Sequence, residues 1–258
     1  MVETLDAAGE VMSPENDKIN LLFLRRMAIY NYFRGHVADR KVLEVGFGDG
    51  YGTYGLASVA KEITGTEVTL SLVERARAAY VRENLYYLKG DMDRLPFPDA
   101  AFDVIVSTHT LEHVRDHMKF LREAHRVLKA GGEAVIATHN RKAVLDNPYC
   151  RREFSAKQFS KALRKVFGDV EVSGLRGSER YAAQAGGMGL ARKVLTHDVL
   201  GIRRFMPRFV VVPLCKRALE SAGEMAVAQG QDGITIDDFQ VTKYEARHSL
   251  DLIGVCKK

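Results

Sequence analysis

Residues 44–52 read Glu-Val-Gly-Phe-Gly-Asp-Gly-Tyr-Gly, with glycine at 46, 48, 50 and 52. Glycines so spaced let the backbone turn sharply and let a ligand approach main-chain N–H groups with no Cβ in the way. A dinucleotide fingerprint requires Gly or Ala at the sixth position counted from Gly46, and that position is Tyr51. A phosphate-binding P-loop needs Gly-Lys-Ser/Thr, which does not follow. What is left is an acid, Glu44, ahead of Gly46, Gly48 and Gly50, a pattern suited to a ligand without a pyrophosphate. Glu67 follows the first glycine by about 20 residues, where a carboxylate can accept both hydrogens of a ribose diol. Gly90-Asp91-Met92 offers an acceptor for an adenine amino group and an apolar face to stack on. Ser107-Thr108-His109-Thr110 adds an imidazole able to take a proton.

These groups can meet only if each lies at the carboxyl end of a strand in one open parallel sheet, the edge where ligands bind. The chain supplies such strands. Lys41–Val45, Glu62–Glu67, Leu85–Lys89, Phe102–Ser107, Glu133–Thr138, Val170–Val172 and Leu250–Cys256 carry the expected apolar runs. Helical spacing falls between them, over Tyr54–Ala60, Leu72–Tyr80, His117–Leu128 (ended by Gly131-Gly132) and the stretch holding Phe159, Leu163, Val166 and Phe167. The alternation predicts an α/β fold with helices on both faces. Residues 1–37 form an N-terminal segment, helical in pattern from Lys18 to Phe33, whose Arg25, Arg26, Tyr30 and Tyr32 either close over the ligand or, as the plainer expectation, lie on a solvated face. Residues 38–173 plus 236–258 form the ligand-binding domain, and 174–235 an inserted helical cap before the last strand.

At these residues the sequence resembles the class I S-adenosylmethionine-dependent methyltransferases, in particular the type 11 group. The resemblance spans residues 38–140 and includes Leu-Pro-Phe-Pro-Asp at 95–99, Phe102-Asp103, Leu111-Glu-His-Val114 and Arg126-Val-Leu-Lys-Ala-Gly-Gly132. It implies a seven-stranded Rossmann-like sheet, mostly parallel, with the last strand antiparallel. It implies S-adenosyl-L-methionine as methyl donor, leaving S-adenosyl-L-homocysteine. The donor's methionine part is expected near Glu44, Gly46, Phe47, Gly48 and Gly50, flanked by Tyr51. Its ribose is expected on Glu67, beside Val68, and its adenine by Asp91 and Met92, with Thr108 also lining the site. His109 is the first candidate for a general base, and Glu112 with His113 the second. The Glu112-His113 pair is similar to a divalent-metal contact of some quinone methyltransferases of the group, but such a pair at a helix start is more commonly a capping and packing element; no metal is assigned. His139 is a weaker pocket candidate. Asn147-Pro148-Tyr149 lies beyond the fifth strand, not after the fourth as in families that methylate amino groups, and is read as a turn.

The 258 residues are 46% apolar and 28% charged, which excludes wholesale disorder. No apolar run approaches the roughly 20 residues needed to span a bilayer, and no secretory signal is visible at the start. Cys150, Cys215 and Cys256 are odd in number and widely separated, which argues against a disulfide framework or zinc site and for a cytoplasmic location. The net charge of +5 invites an anionic partner, but it is local. Residues 192–217 hold seven basic side chains against Asp198, leaving the rest at 31 basic and 32 acidic. Nucleic acid is therefore disfavoured. The expected acceptor is a small molecule or glycan, anionic or lipid-linked, met by the basic cap, with peripheral membrane contact as a further expectation. The leading reaction is O-methylation. C- or N-methylation, as in quinone biosynthesis, is the alternative, and a non-catalytic membrane- or nucleic-acid-binding protein keeping the fold is the third reading. The oligomeric state is not fixed by the sequence.

Overall fold

A computed structural model of the chain describes residues 21–141, 151–182, 233–243, 246 and 249–258. Period-two alternation builds its centre. In β1 (Lys41–Val45) and β4 (Phe102–Thr108), Val42, Val104 and Val106 face one side of the sheet, and Leu43, Val45 and Ile105 face the other. All six are fully buried, as strands covered on both faces must be. Ile29, Phe33, Leu56 and Val73 cover the first side, from α1 (Leu21–Val37), α2 (Tyr51–Ala57) and α3 (Leu70–Ala79). Phe120, Leu121, Phe159 and Leu163 cover the second, from α4 (His117–Val127) and α5 (Ala156–Arg164). Asp116 caps α4, accepting from the backbone N–H of Met118 and Lys119, and a Ser155–Gln158 capping box opens α5.

The remaining strands are β2 (Glu62–Glu67), β3 (Leu85–Lys89), β5 (Leu128–His139), β6 (Asp169–Gly177), β7 (Phe239–Thr242) and β8 (Asp251–Lys257). Their order is β3-β2-β1-β4-β5-β8-β6-β7. β1 to β5 pair in parallel, and β8, the last strand, runs antiparallel to both β5 and β6. The chain turns outward in opposite directions from β1 and β4, so a crevice opens at the carboxyl ends between them. β8 enters that same edge with its first residue, because it runs the other way.

Five expectations need correction. The sheet has eight strands, not seven: β7 pairs antiparallel with the outer edge of β6, and Phe239 anchors it on Tyr181 at 5.0 Å. α2 starts at Tyr51, not Tyr54, because Gly50 at φ 88° is its N-cap and the helix begins on leaving the glycine turn. α4 stops at Val127 without help from Gly131-Gly132. Those glycines lie inside β5, where pairing with β4 jumps from Phe102↔Leu128 to Val104↔Glu133. Finally, Arg25 and Tyr30 of α1 are buried, not solvated. The strand β6 also continues through Gly177, past the position where the inserted cap was expected to begin. The basic run 192–217, Asn147-Pro148-Tyr149 and residues 1–20 lie outside the described residues.

The N-terminal helix is seated on α2 by close approach. A Cβ built on Gly52 would lie 1.9 Å from Cζ of Tyr30. Gly52→Ala should gain roughly 1 kcal/mol of helix propensity but lose more by overpacking, typically about 1–3 kcal/mol. Denaturant unfolding should therefore show a net loss of stability. A stabilised variant would mean that α1 is not held against α2.

Candidate active site

The turn after β1 is built from left-handed backbone, with Gly46 at φ 78°, Gly48 at φ 60° and Gly50 at φ 88°. Gly48 has nothing within 4 Å of where a Cβ would be, so this face of the turn is open to a ligand. Glu67, the last residue of β2, closes the turn from the other side. Its carboxylate accepts from the N–H of Val68 at 2.8 Å, Thr69 at 3.2 Å and Gly48 at 3.3 Å. Burial raises its carboxyl above the ordinary range, opposed by those same N–H groups. Glu44, one strand over, is fully buried; Oε1 accepts from the Tyr30 hydroxyl at 2.7 Å, and Oε2 has no hydrogen-bond partner among the described residues. Burial pushes its carboxyl up to about 7, although the Tyr30 hydroxyl favours the charged form.

The other expected donor-site residues divide. Val68 is half exposed at 49%, Met92 half buried and Asp91 exposed, its carboxylate accepting from Asp93 N–H at 2.8 Å. Arg126 ties down the segment that follows, donating to the carbonyls of Leu95 and Phe97 and to Asp99 and Glu123. Thr108 is buried with its hydroxyl unpartnered among the described residues. Phe47, by contrast, turns its ring into the core, edge-on to Tyr87 at 4.8 Å, so only its backbone lines the turn. Tyr51, the first residue of α2, meets Tyr30 edge-on and Phe23 at a tilt, and burial pushes its hydroxyl up to about 12.

The candidate bases sit next to this turn, at the ends of β4 and β5. His109 adopts φ 51°, a left-handed conformation for a residue with a side chain, and is buried. Its Nε2 lies 2.9 Å from Oδ1 of Asp251, and its Nδ1 has no partner among the described residues. His139 stacks on it with ring centroids 4.0 Å apart and places its own Nδ1 3.1 Å from the same oxygen. Arg25 reaches Asp251 from α1, donating Nε to Oδ2 and Nη2 to Oδ1, each at 2.5 Å. Burial holds the His109 imidazole down at about 4, helped by His139 and Arg26 and opposed by Asp251. Glu112 is buried beside the cluster, with Oε2 accepting from the Thr138 hydroxyl at 2.9 Å and Oε1 3.6 Å from His139 Nε2. His113 is not among the groups on Asp251; its N–H closes a turn onto the Thr110 carbonyl. The pair Glu112-His113 is not the cap of α4 either, since Asp116 does that.

Donor atoms of His109, His139 and Asp251 all lie within 4.8 Å of one another, a spacing open to a metal ion. Both Asp251 oxygens are already engaged by the Arg25 guanidinium, and a divalent cation would sit against that fixed positive charge. We read the cluster as a charge-compensated hydrogen-bond network.

Residues 43–136 match the family model described as a methyltransferase domain. A Mycolicibacterium smegmatis protein named as a probable S-adenosylmethionine-dependent methyltransferase is 33% identical over 173 residues, covering 65% of this chain and 66% of that one. The chain belongs to the class I S-adenosylmethionine-dependent methyltransferases, type 11 group. It spans slightly under two thirds of the length of the first mycobacterial relatives it matches. A demethylmenaquinone methyltransferase of Tropheryma whipplei is 35% identical over 113 residues, 43% of this chain and 47% of that one. In fold, the chain is similar to a Thermotoga maritima SAM-dependent methyltransferase, with a TM-score of 0.59 at 17% identity over 92% of each.

The residues of this methyltransferase crevice fit S-adenosylmethionine, the family's donor. Glu44 Oε2 and the Thr108 hydroxyl are buried polar atoms lacking partners among the described residues, and a Cβ built on Gly48 would meet nothing within 4 Å. Glu67 supplies a carboxylate at the end of β2. Residue-type reasoning on the sequence missed Arg25 and Asp251. A signal for Arg25 was present: Arg25, Ile29, Phe33 and Val37 recur every four residues on the buried stripe of α1.

Two predictions follow from the carboxylates. The Glu44 carboxyl near 7 stands above its unfolded value of 4.5, so the folded state retains a proton between those pH values. Stability should fall as pH rises through that window, by on the order of 3 kcal/mol from the shift alone. Glu44→Gln should flatten the dependence; an unchanged slope in pH-resolved unfolding would contradict the assignment. Glu67→Gln should weaken S-adenosylhomocysteine by roughly tenfold or more in calorimetry, since a ribose hydroxyl loses a charged acceptor. Unaltered affinity would remove the ribose from Glu67.

Proposed function

We propose that the chain transfers the methyl group of S-adenosylmethionine to an oxygen of a small-molecule, glycan or lipid-linked acceptor, with His109 as general base. The observation that carries this reading is the buried His109 imidazole, held at Nε2 by Asp251 and without a hydrogen-bond partner at Nδ1 among the described residues. The donor, when bound, supplies an electrophilic methyl on a sulfonium, open to in-line attack. The chain's own residues do the rest. Glu67 and Glu44 orient the donor, the first at its ribose and the second at its methionine end, with Thr108 between β4 and the turn. Holding both partners in line supplies much of the acceleration. A hydroxyl acceptor must also lose a proton, and His109 Nδ1 takes it. Asp251 then faces the imidazolium that forms, as a carboxylate does behind a catalytic histidine. A base near 4 in the resting protein is weak, but it is unprotonated throughout the neutral range.

We assign the acceptor side to the insertion between β6 and β7, whose basic run at 192–217 suits an anionic or lipid-linked molecule. Among the described residues no helix is long and apolar enough to cross a membrane. A second reading, C-methylation of a quinone-like acceptor, is favoured by the demethylmenaquinone methyltransferase relative.

Incubation with methyl-labelled S-adenosylmethionine and fractionated metabolites should label one acceptor, and NMR of the product should place the methyl on oxygen. Label on carbon would establish the second reading in its place. His109→Ala should retain S-adenosylhomocysteine affinity while turnover drops by about 10²–10⁴, the usual worth of a general base. Full turnover in that variant would remove His109 as the base.

A further inference from the structure

At the edge where β1 to β5 end, two carboxylates, Glu44 and Asp251, have no exposure to solvent, and their surroundings differ. Asp251 has a cation of its own, the Arg25 guanidinium brought by α1. Glu44 receives only a phenol from the same helix. The Tyr30 hydroxyl donates to Oε1 at 2.7 Å, and Oε2 has no hydrogen-bond partner among the described residues. Nor does any cation among the described residues pair with Glu44; hydroxyl groups are what favour its charged form. A buried carboxylate ordinarily needs a paired positive charge. At Glu44 that charge is one a ligand can bring.

Packing fixes where the Tyr30 hydroxyl stands. Its ring lies edge-on to Tyr51 at 5.9 Å and to Phe33 at 6.1 Å. A Cβ on Gly52 would fall 1.9 Å from Cζ, the carbon that carries the hydroxyl. Gly52 lies inside α2 and, unlike Gly46, Gly48 and Gly50, is not left-handed. The fourth glycine of the run therefore makes room for Tyr30 and does not turn the chain.

We propose that Tyr30 is a positioning residue for the methyl donor: by holding Oε1 of Glu44 it commits Oε2 to the α-ammonium group at the donor's methionine end. A carboxylate anchored at one oxygen has lost its rotational freedom before the ligand arrives, so less ordering remains to oppose binding. The ammonium group then supplies the paired charge that Glu44 lacks. The nucleoside part of the donor carries no such group, so the hydroxyl of Tyr30 acts on the amino-acid end alone.

This role for Tyr30 rests on placing the methionine end at Glu44, and two ligands let the two claims fail separately. Calorimetry on the full chain at pH 8, where the Glu44 carboxyl is mostly ionised, compares S-adenosylhomocysteine with 5′-methylthioadenosine. The second ligand keeps the nucleoside and the sulfur but lacks the amino-acid end. Glu44→Gln should weaken S-adenosylhomocysteine by roughly tenfold or more and leave 5′-methylthioadenosine unchanged. Tyr30→Phe, which keeps the ring, should show the same selectivity with a loss of about three- to tenfold, and no further loss in the Glu44→Gln background. Equal losses for both ligands, no loss for S-adenosylhomocysteine, or the full loss repeated in the Glu44→Gln background would overturn the role of Tyr30 and leave Glu44 in place. If Glu44→Gln spares S-adenosylhomocysteine, the placement itself falls and the role of Tyr30 with it. If Tyr30→Phe does not fold, a crystal structure of the wild-type chain with S-adenosylhomocysteine decides. The amino nitrogen on Oε2, with Tyr30 still on Oε1, supports the proposal; Tyr30 displaced from Glu44, or an amino nitrogen away from Oε2, overturns it.

Discussion

A buried carboxylate must be compensated where it stands, and Asp251 imposes that requirement on the edge of the sheet where β1 to β5 end. It is fully buried, and its partners lie 226, 142 and 112 residues away along the chain. Removing one partner from such a group typically costs about 3–5 kcal/mol, because the charge left behind is unpaired. The seat of α1, the left-handed conformation of His109 and the pairing His139↔Asp251 between β5 and β8 are therefore mutually dependent. The antiparallel direction of β8 makes this arrangement available. A parallel strand would bring its last residue to this edge, whereas β8 brings its first.

The donor half of the crevice follows a different logic. There the backbone does most of the positioning: a turn of left-handed glycines, closed by one carboxylate that accepts three main-chain N–H groups. Side chains enter at the margins, and two of them, Glu44 and Thr108, present buried oxygens without partners among the described residues. α1 serves both halves, through Tyr30 on Glu44 and Arg25 on Asp251. A single helix thus links Glu44, at the end of β1, to Asp251, behind His109.

Much of this was legible in the sequence, for identifiable reasons. β1, β2 and β4 were readable because central strands are apolar on both faces, and the glycine turn because few other functions need glycine at that spacing. β7 was not readable: Phe-Gln-Val-Thr is short, mixed in polarity and sits at the edge of the sheet, where little burial is demanded. Gly131-Gly132 looked like a helix end because glycine serves there too, whereas here it accommodates a shift in pairing register. Asp251 could not be found by local reading. An aspartate opening a strand ordinarily faces solvent, and the partners that explain its burial lie in distant segments. Arg25 was hidden by its chemistry, since an arginine on a helix is usually solvated and only its spacing with Ile29, Phe33 and Val37 placed it inside.

The central proposal is spatial: a donor along the glycine turn with its reactive end toward Nδ1 of His109. A crystal structure of the full chain with S-adenosylhomocysteine tests this most directly. The account predicts ribose hydroxyls on Glu67, the amino-acid end against Glu44, and the sulfur on the side of the crevice that His109 Nδ1 faces. A ligand bound elsewhere, or in this crevice with its sulfur directed away from His109, would contradict it.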